Sequence, residues 1–407
     1  MTRDRTQQMK KPLTAAVLVL VCAGPLGAAD WPMWRYDAAR SAASPHALPT
    51  NLTLLWSRQL PPVRPAWPLA QDQRSDFDAS YEPVVLGRRL FLGSPNDGSV
   101  TAYDLASGEE LWKFYTEGPV RCAPACWKGK VYVGSDDGYL YCLDAERGNV
   151  LWKFRGAPAE RPERWHLGNG HLVSFWPVRG GPVVLDGAVY FGAGIWAILG
   201  VFIHALNAET GAVLWSNGGL NRIANVRIDH DFLRESGLSP QGCFAAVRDR
   251  LIVPCGRAMP AGLELGTGRL IYWTQGYYGQ GASRVAAHGE YAFVGQHAVV
   301  NLHDFREVGS KWAYRGTNAP EGYAERYAQS LHVPPDLANL EGDWPEQLPS
   351  YYGAVASLDE NLGRVLRDIP AACVPRVLEA IKTSASGDWQ TFLIKRINTF
   401  EGALLTE

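Results

Sequence analysis

Three stretches interrupt an otherwise repetitive sequence, and they hold the residues whose types could do chemistry. Residues 157–174 contain Trp165, His166 and His171, and residues 218–238 contain Arg222, Arg227, Asp229, His230 and Asp231. Residues 317–352 are rich in Pro, Tyr and acidic side chains. Imidazoles and carboxylates bind a transition metal when three or four converge. His166 and His171 are five apart and His230 sits between two aspartates, but nothing in the sequence draws these groups together, so no metal site is expected. His288, His297 and His303 fall at strand-like spacing and read as ordinary strand residues. Arg257, within Pro254-Cys-Gly-Arg-Ala-Met-Pro260, and Arg179, before Gly180-Gly181, stand on unusual turns. Each could hold the carboxylate of a ligand in its planar fork; the commoner role is a salt bridge or carbonyl contact inside the fold. No Gly-x-Ser-x-Gly elbow, His-Glu-x-x-His pair or phosphate-binding Gly-rich loop occurs, so no catalytic residue is assigned.

The cysteines depend on compartment. Residues 1–29 read as a secretory signal: Arg3, Arg5, Lys10 and Lys11 precede the apolar run Leu13 to Ala23, and Gly27-Ala28-Ala29 supplies a small-residue cleavage site before Asp30. Val21 is bulkier than the residue that usually precedes a lipidated cysteine, so Cys22 is not expected to carry lipid. No later segment approaches 18 apolar residues, so no membrane span is expected in the mature chain. An oxidising compartment would then permit disulfides among Cys122, Cys126, Cys142, Cys243, Cys255 and Cys373. Cys122 and Cys126 lie on one strand, about 13 Å apart when extended, and should not pair. Cys243 and Cys255 flank the turn Arg248-Asp249-Arg250; centred on Asp249, it would bring them within disulfide range, and a shift of one residue would put them on opposite faces.

These residues must be positioned by the elements around them, and those elements are copies of one unit. Gly129 to Phe154 contains three short strands joined by two tight turns, Ser135-Asp136-Asp137-Gly138 and Asp144-Ala-Glu-Arg-Gly148. The second turn recurs as Asp104 to Gly108, Asn207 to Gly211 and Glu264 to Gly268, more loosely as Asp304 to Gly309, and poorly as Asp359 to Gly363. An aromatic residue follows the good copies at the fourth position after Gly: Trp112, Trp152, Trp215 and Tyr272, the last beside Trp273. The spacing of 40 residues between the first two copies suits a four-stranded blade. Each such sheet is too thin to be stable alone and must stack on its neighbours, with the aromatic residue filling the seam. The composition, with 15 Trp and 42 Gly, fits an all-β propeller better than a helical enzyme. A net charge of −2 gives no reason to expect nucleic acid or anionic lipid as partner. Blade three departs from the pattern in the apolar excursion Ile195 to Ile203, which is either a lengthened hairpin or an exposed docking ridge.

The blades resemble the pyrroloquinoline-quinone (PQQ) type repeat, shared by quinoprotein dehydrogenases and by the propeller lipoprotein of outer-membrane assembly. The resemblance is strongest over Asp78 to Phe154 and Phe175 to Ser216 and fades after Gly316. It implies a ring of seven or eight blades, of which six turn motifs are recognisable, and an N-terminal strand that closes the ring, for which Trp31 to Arg35 and Leu54 to Trp56 are the candidates. Residues 30–368 are expected to form the propeller. Residues 369–407, with helical spacing of Val377, Leu378 and Ile381, form a divergent tail, helical or truncated. Quinoprotein dehydrogenases hold their quinone on the axis with a disulfide of adjacent cysteines, a stacking Trp, calcium ligands from Glu and Asn, and a catalytic Asp. No Cys-Cys dipeptide occurs here and no such set can be aligned. The expectation is therefore a secreted or periplasmic, non-catalytic binding or scaffold propeller. It would carry no cofactor and would meet protein partners at its loop face. The alternative is a quinone-dependent oxidoreductase using PQQ and calcium, in which Arg257 or Arg179 would meet the quinone acids.

Overall fold

The computed structural model describes residues 30–46, 51–67, 77–228, 232–275, 281–295 and 298–310. The expected leader (1–29), the segment 317–352, the turn expected at 359–363, the expected tail 369–407, and Cys22, Asp229, His230, Asp231, His297, Trp312 and Cys373 lie outside these residues.

Short apolar runs, buried on both faces in the inner strands, make the strands, and glycine-bearing turns fold them back at once. The first sheet is β1 (Val84–Leu86), β2 (Arg89–Gly93), β3 (Ser99–Asp104) and β4 (Glu110–Tyr115), antiparallel in chain order. The second repeats it with β5 (Ala125–Trp127), β6 (Lys130–Gly134), β7 (Tyr139–Asp144) and β8 (Val150–Arg155). A two-stranded hairpin, β9 (Trp165–Gly168) and β10 (His171–Ser174), precedes the third sheet of β11 (Gly180–Leu185), β12 (Ala188–Ala193), β13 (Phe202–Asn207) and β14 (Val213–Asn217). Another hairpin, β15 (Ile223–Ile228) and β16 (Phe232–Ser236), leads to β17 (Gly242–Cys243), which adds to β11 in parallel. The fourth sheet is β18 (Ala245–Val247), β19 (Arg250–Cys255), β20 (Ala258–Glu264) and β21 (Leu270–Tyr272). The fifth is β22 (Val285–His288), β23 (Tyr291–Val294), β24 (Ala298–Asn301) and β25 (Glu307–Ser310). The first strands β1, β5, β11, β18 and β22 neighbour one another in turn, so the sheets are blades around a common axis: an all-β propeller.

The seams between blades follow one rule. Trp112 of β4 donates its indole N–H to Ala145 O, in the β7–β8 turn of the next blade, at 3.2 Å, and Trp152 and Trp215 reach Glu209 O and Leu265 O at 3.2 and 2.9 Å. Each ring lies flat against the glycine that ends the turn. Gly148 adopts φ +73°, and a Cβ there would stand 2.6 Å from the Trp112 ring. The glycine is needed twice over, for its backbone and for its missing side chain. The fifth blade inverts the arrangement. Its turn is Asn301 to Phe305, closed by Phe305 N–H to Asn301 O at 2.8 Å, and not the Asp304 to Gly309 copy expected from sequence. Phe305 takes the glycine's left-handed φ, +56°, and buries its own ring against Gly262, while Tyr272 of the preceding blade meets Arg306.

The last blade, against which Trp31 to Arg35 were expected to close the ring, lies outside the described residues. The N-terminal segment itself runs along the axis and bonds to the first strands in sequence: Trp31 with Val85, Pro32 O with Cys126 N, Ala38 O with Ala246 N and Ala39 O with Ala287 N, the last three at 2.7–2.8 Å. Fully buried Arg40 completes this hub, donating to Pro182 O, Phe244 O and Trp34 O at 2.7–3.1 Å. Trp56 packs on Gly108 and donates to Leu105 O at 2.9 Å, as an outer-strand tryptophan of a preceding blade would.

A paired substitution tests the seam rule. Gly129 and Gly148 share φ values of +74° and +73°, but a Cβ on Gly129 meets nothing within 4 Å. Gly129→Ala is expected to cost about 1–2 kcal/mol from backbone strain alone. Gly148→Ala should cost a further ~1–3 kcal/mol from collision with Trp112, read by urea unfolding. Equal losses would mean that the indole is not seated on this turn.

Candidate functional site

The first strands of blades two and three are entered by the same short sequence, Pro-Val-Arg-x-x-Pro, at Pro119 to Pro124 and Pro177 to Pro182. In each, Val fits onto a glycine of the preceding blade. A Cβ on Gly93 would be 2.6 Å from Val120, and one on Gly134 would be 2.6 Å from Val178. That contact fixes the next residue, Arg121 or Arg179, at the axial end of the molecule. Both arginines converge on Asp136 in the β6–β7 turn. Arg121 Nε donates to Oδ2 at 2.6 Å, and Arg179 Nε and Nη2 grip Oδ1 and Oδ2 at 2.8 and 2.9 Å. Arg121 Nη1 also donates to Asp78 Oδ2 at 2.7 Å, and that oxygen accepts the Ala66 N–H. The four side chains are 1–3% exposed.

Their electrostatics follow the bonding. Burial would raise the Asp136 carboxyl, but the Arg179 and Arg121 charges and hydrogen bonds outweigh it and hold the group below the usual aspartate range. Asp78 has one guanidinium, and burial wins, leaving it above that range. Trp67 covers the group: Arg179 lies 5.4 Å from the Trp67 ring centroid, the Trp67 indole donates to Gln241 Oε1 at 3.1 Å, and Trp196 packs edge-on at 5.8 Å.

The histidines singled out from sequence border this network. His166 and His171 are strand residues of β9 and β10, and their register places both on one face of the hairpin. Burial, then the charge of Arg179 for His166 and of Arg121 for His171, lowers both pKa values, and His166 Nδ1 and His171 Nε2 are buried without a hydrogen-bond partner. Among the described residues no group of three His, Cys, Asp or Glu could hold a metal. Arg179 takes the salt-bridge role. Arg222 pairs with Glu235 across the β15–β16 hairpin at 3.0 Å, well exposed. Arg257 is exposed in the β19–β20 turn, His288 is exposed on β22 and His303 lies in the turn after β24. Arg227 lies on β15. The excursion at Ile195 divides: Ile195, Val201 and Ile203 are buried, and Ile198 at its tip is 93% exposed.

No disulfide joins Cys243 to Cys255; both are free. Val247 pairs with Arg250, which centres the turn between Arg248 and Asp249 and shifts the register by one residue from that expected. Cys243 instead pairs with Gly181 of β11, and its thiol interacts with that of Cys122. Glu82 lies beside it, with Oε2 buried and unpartnered. Asp78, Glu82, Arg121, Asp136 and Trp67 were not identified from sequence as site residues; the repeated Pro-Val-Arg was the available signal.

Burial, reinforced by Cys243, pushes the Glu82 carboxyl up to about 9 from an ordinary 4.5, so the folded chain keeps a proton that the unfolded chain releases. Stability should therefore fall as pH rises from about 4.5 to 9, by at most ~1.4 kcal/mol per pH unit for one proton. Glu82→Gln removes that slope and should stabilise the protein at pH 8 relative to wild type, measured by urea unfolding at pH 5, 6.5 and 8. An unchanged slope would place the titrating group elsewhere.

A family model described as outer membrane protein assembly factor BamB matches residues 53–216 and 96–287. Quinohemoprotein alcohol dehydrogenase ADH IIB of Pseudomonas putida is 27% identical over 264 residues, 58% of this chain and 35% of that protein. The dehydrogenase subunit of a quinone alcohol dehydrogenase from Gluconobacter oxydans is 34% identical over 146 residues, 33% of this chain and 18% of that protein. The solved quinohemoprotein alcohol dehydrogenase of Comamonas testosteroni aligns with TM-score 0.48 and 18% identity over 69% of this chain and 49% of its own. The chain thus spans about a third or less of the two curated relatives named. These names overturn the expectation that the chain carries no cofactor, because the matched relatives are quinone enzymes. The axial arginines fit a quinone and calcium poorly, since Asp136 and Asp78 already occupy them and no metal-binding group lies among the described residues. A cavity of about 310 Å³ beside β22, lined by Arg35, Ser41, Arg284, His288 and Phe293, offers cations for an acidic ring but no carboxylate for calcium. The match from residue 53 to residue 287, more than half of the sequence, places the chain in the PQQ-repeat propeller family described as outer membrane protein assembly factor BamB.

Proposed function

We propose that the chain is a binding propeller of the cell envelope that engages a protein partner through the loop face around Trp67. The observation that carries this reading is an apolar rim on that face. Leu167 and Leu172 stand opposite each other on β9 and β10 and are 75% and 62% exposed, and Trp196 and Ile198 are 47% and 93% exposed. Trp196 packs against Trp67, and the hairpin is tied to the same segment by Asn169 Nδ2 donating to Pro65 O at 2.6 Å. Large apolar side chains held out on an ordered hairpin and turn beside a buried ionic centre are the anatomy of a docking surface. Among the described residues no helix is long and apolar enough to cross a membrane. The family description, and the basic-then-apolar sequence of residues 1–29 that reads as a leader, favour the envelope as the compartment.

A second reading, a quinone-dependent oxidoreductase, is favoured by the named relatives and by the cationic cavity at Arg35 and Arg284. Two measurements separate the readings. A photo-crosslinking residue at Ile198 or Leu172 in the full chain, expressed in its own cells, should give one discrete protein adduct. The same probe at Glu109, on the β3–β4 turn, should give none, and Leu167→Asp should abolish the adduct. Equal labelling from Glu109 would remove the docking reading. PQQ with calcium should raise the melting temperature under the second reading only, as a ligand specific to the folded state does.

A further inference from the structure

Behind the ionic group the axis holds two thiols, one of them a single residue beyond Arg121. Cys122 follows Arg121 into β5, and Cys243 precedes β18, about 120 residues later. Between them runs β11. Gly181 pairs with Cys243, and a Cβ on Gly181 would lie 3.0 Å from Cys122 Cβ, 3.2 Å from Cys122 Sγ and 3.1 Å from Cys243 Cα. Any larger residue would stand between the two cysteines. With glycine there, the thiols interact directly across the strand, and Cys122 Sγ also lies 3.5 Å from Arg179 O.

The surroundings set this pair apart from the other described cysteines. The hydrogen bond from Cys122, with the charges of Arg40 and Arg284 and the Ala123 N–H, holds the Cys243 thiol below the ordinary range, and the same interaction with burial pushes Cys122 up. Arg40 and Arg284 thus favour a thiolate on one specific sulfur. Cys126 and Cys255 have no cation among the groups that shift them, and burial pushes both up, Cys255 to about 12. Cys142 is likewise pushed up to about 12 by burial, despite Lys130.

We propose that Cys122 and Cys243 form a reversible redox site on the propeller axis, closing to a disulfide that joins the entry to blade two with β17 on the edge of blade three, with a disulfide-bearing oxidant as electron acceptor. The Cys243 thiolate attacks one sulfur of the oxidant, forming a mixed disulfide and expelling one thiolate. Cys122 then attacks the Cys243 sulfur and expels the second. The protons of the two cysteines pass to the two leaving thiolates. Two protein thiols are oxidised by two electrons, and one oxidant disulfide becomes two thiols.

The test uses the full chain equilibrated with 2-hydroxyethyl disulfide and 2-mercaptoethanol at graded ratios, quenched in acid, alkylated after denaturation and read by peptide mass spectrometry. The expected product is a single cross-link between the Cys122 and Cys243 peptides, two hydrogens lighter than the pair, with Cys126, Cys142 and Cys255 alkylated. Closing so long a loop should raise the melting temperature by roughly 4–10 °C, reversibly on reduction. Cys122→Ser and Cys243→Ser should each abolish the cross-link and the shift, whereas Cys142→Ser should keep both. Absence of the cross-link at every ratio would overturn the proposal, as would a link to another cysteine or a mixed disulfide retained on Cys243 while Cys122 is alkylated. The wild-type readout does not depend on how well the variants fold.

Discussion

One carboxylate organises the axial end of this propeller. Asp136 leaves the β6–β7 turn of blade two and accepts three hydrogen bonds from Arg121 and Arg179, which enter blades two and three. Two buried guanidiniums would be ruinous without it, because a charge taken out of water needs a partner and full hydrogen bonding. The same network reaches the chain that overlies the axis, through Asp78 to Ala66 and through Arg121 to Arg64 O. Below it come the thiol pair with Glu82, and below those the Arg40 hub. The axis is thus filled from within, in three successive layers, by residues from segments far apart in sequence.

The blades that surround it are held by a contact that depends on position more than on residue identity. A turn with a left-handed fifth residue presents a flat, side-chain-free surface, and the tryptophan of the preceding blade lies on it. Phe305 shows the rule from the other side. With an aromatic residue at the glycine position, the ring comes from the turn itself and the partner position is relaxed to Tyr272. Either way one ring fills one gap, because a void at the seam would forfeit its dispersion contacts.

What was legible in the sequence is what is local. The turns at Asp104, Asp144, Asn207 and Glu264, and the tryptophans after the first three, need only eight or nine consecutive residues, and they stand where the spacing put them. The fifth turn was misplaced by three residues because Phe305 occupies the position where a glycine was sought. The Cys243–Cys255 pairing failed on half a residue of turn centre, the amount by which a β-register exchanges faces. The axial site was not read because its members come from residues 64 to 284 and meet only when the ring forms. Even there the duplicated Pro-Val-Arg-x-x-Pro carried a trace, one valine per seam and two arginines for one carboxylate.

The most direct measurement is the unfolding free energy of Asp136→Asn in urea, beside that of wild type. If the Arg121–Asp136–Arg179 group is the structural keystone of the axis, two buried cations lose their counter-charge and the loss should be about 3–5 kcal/mol. Stability unchanged or increased would contradict this, since that is the behaviour of a residue kept at a binding site at the expense of the fold.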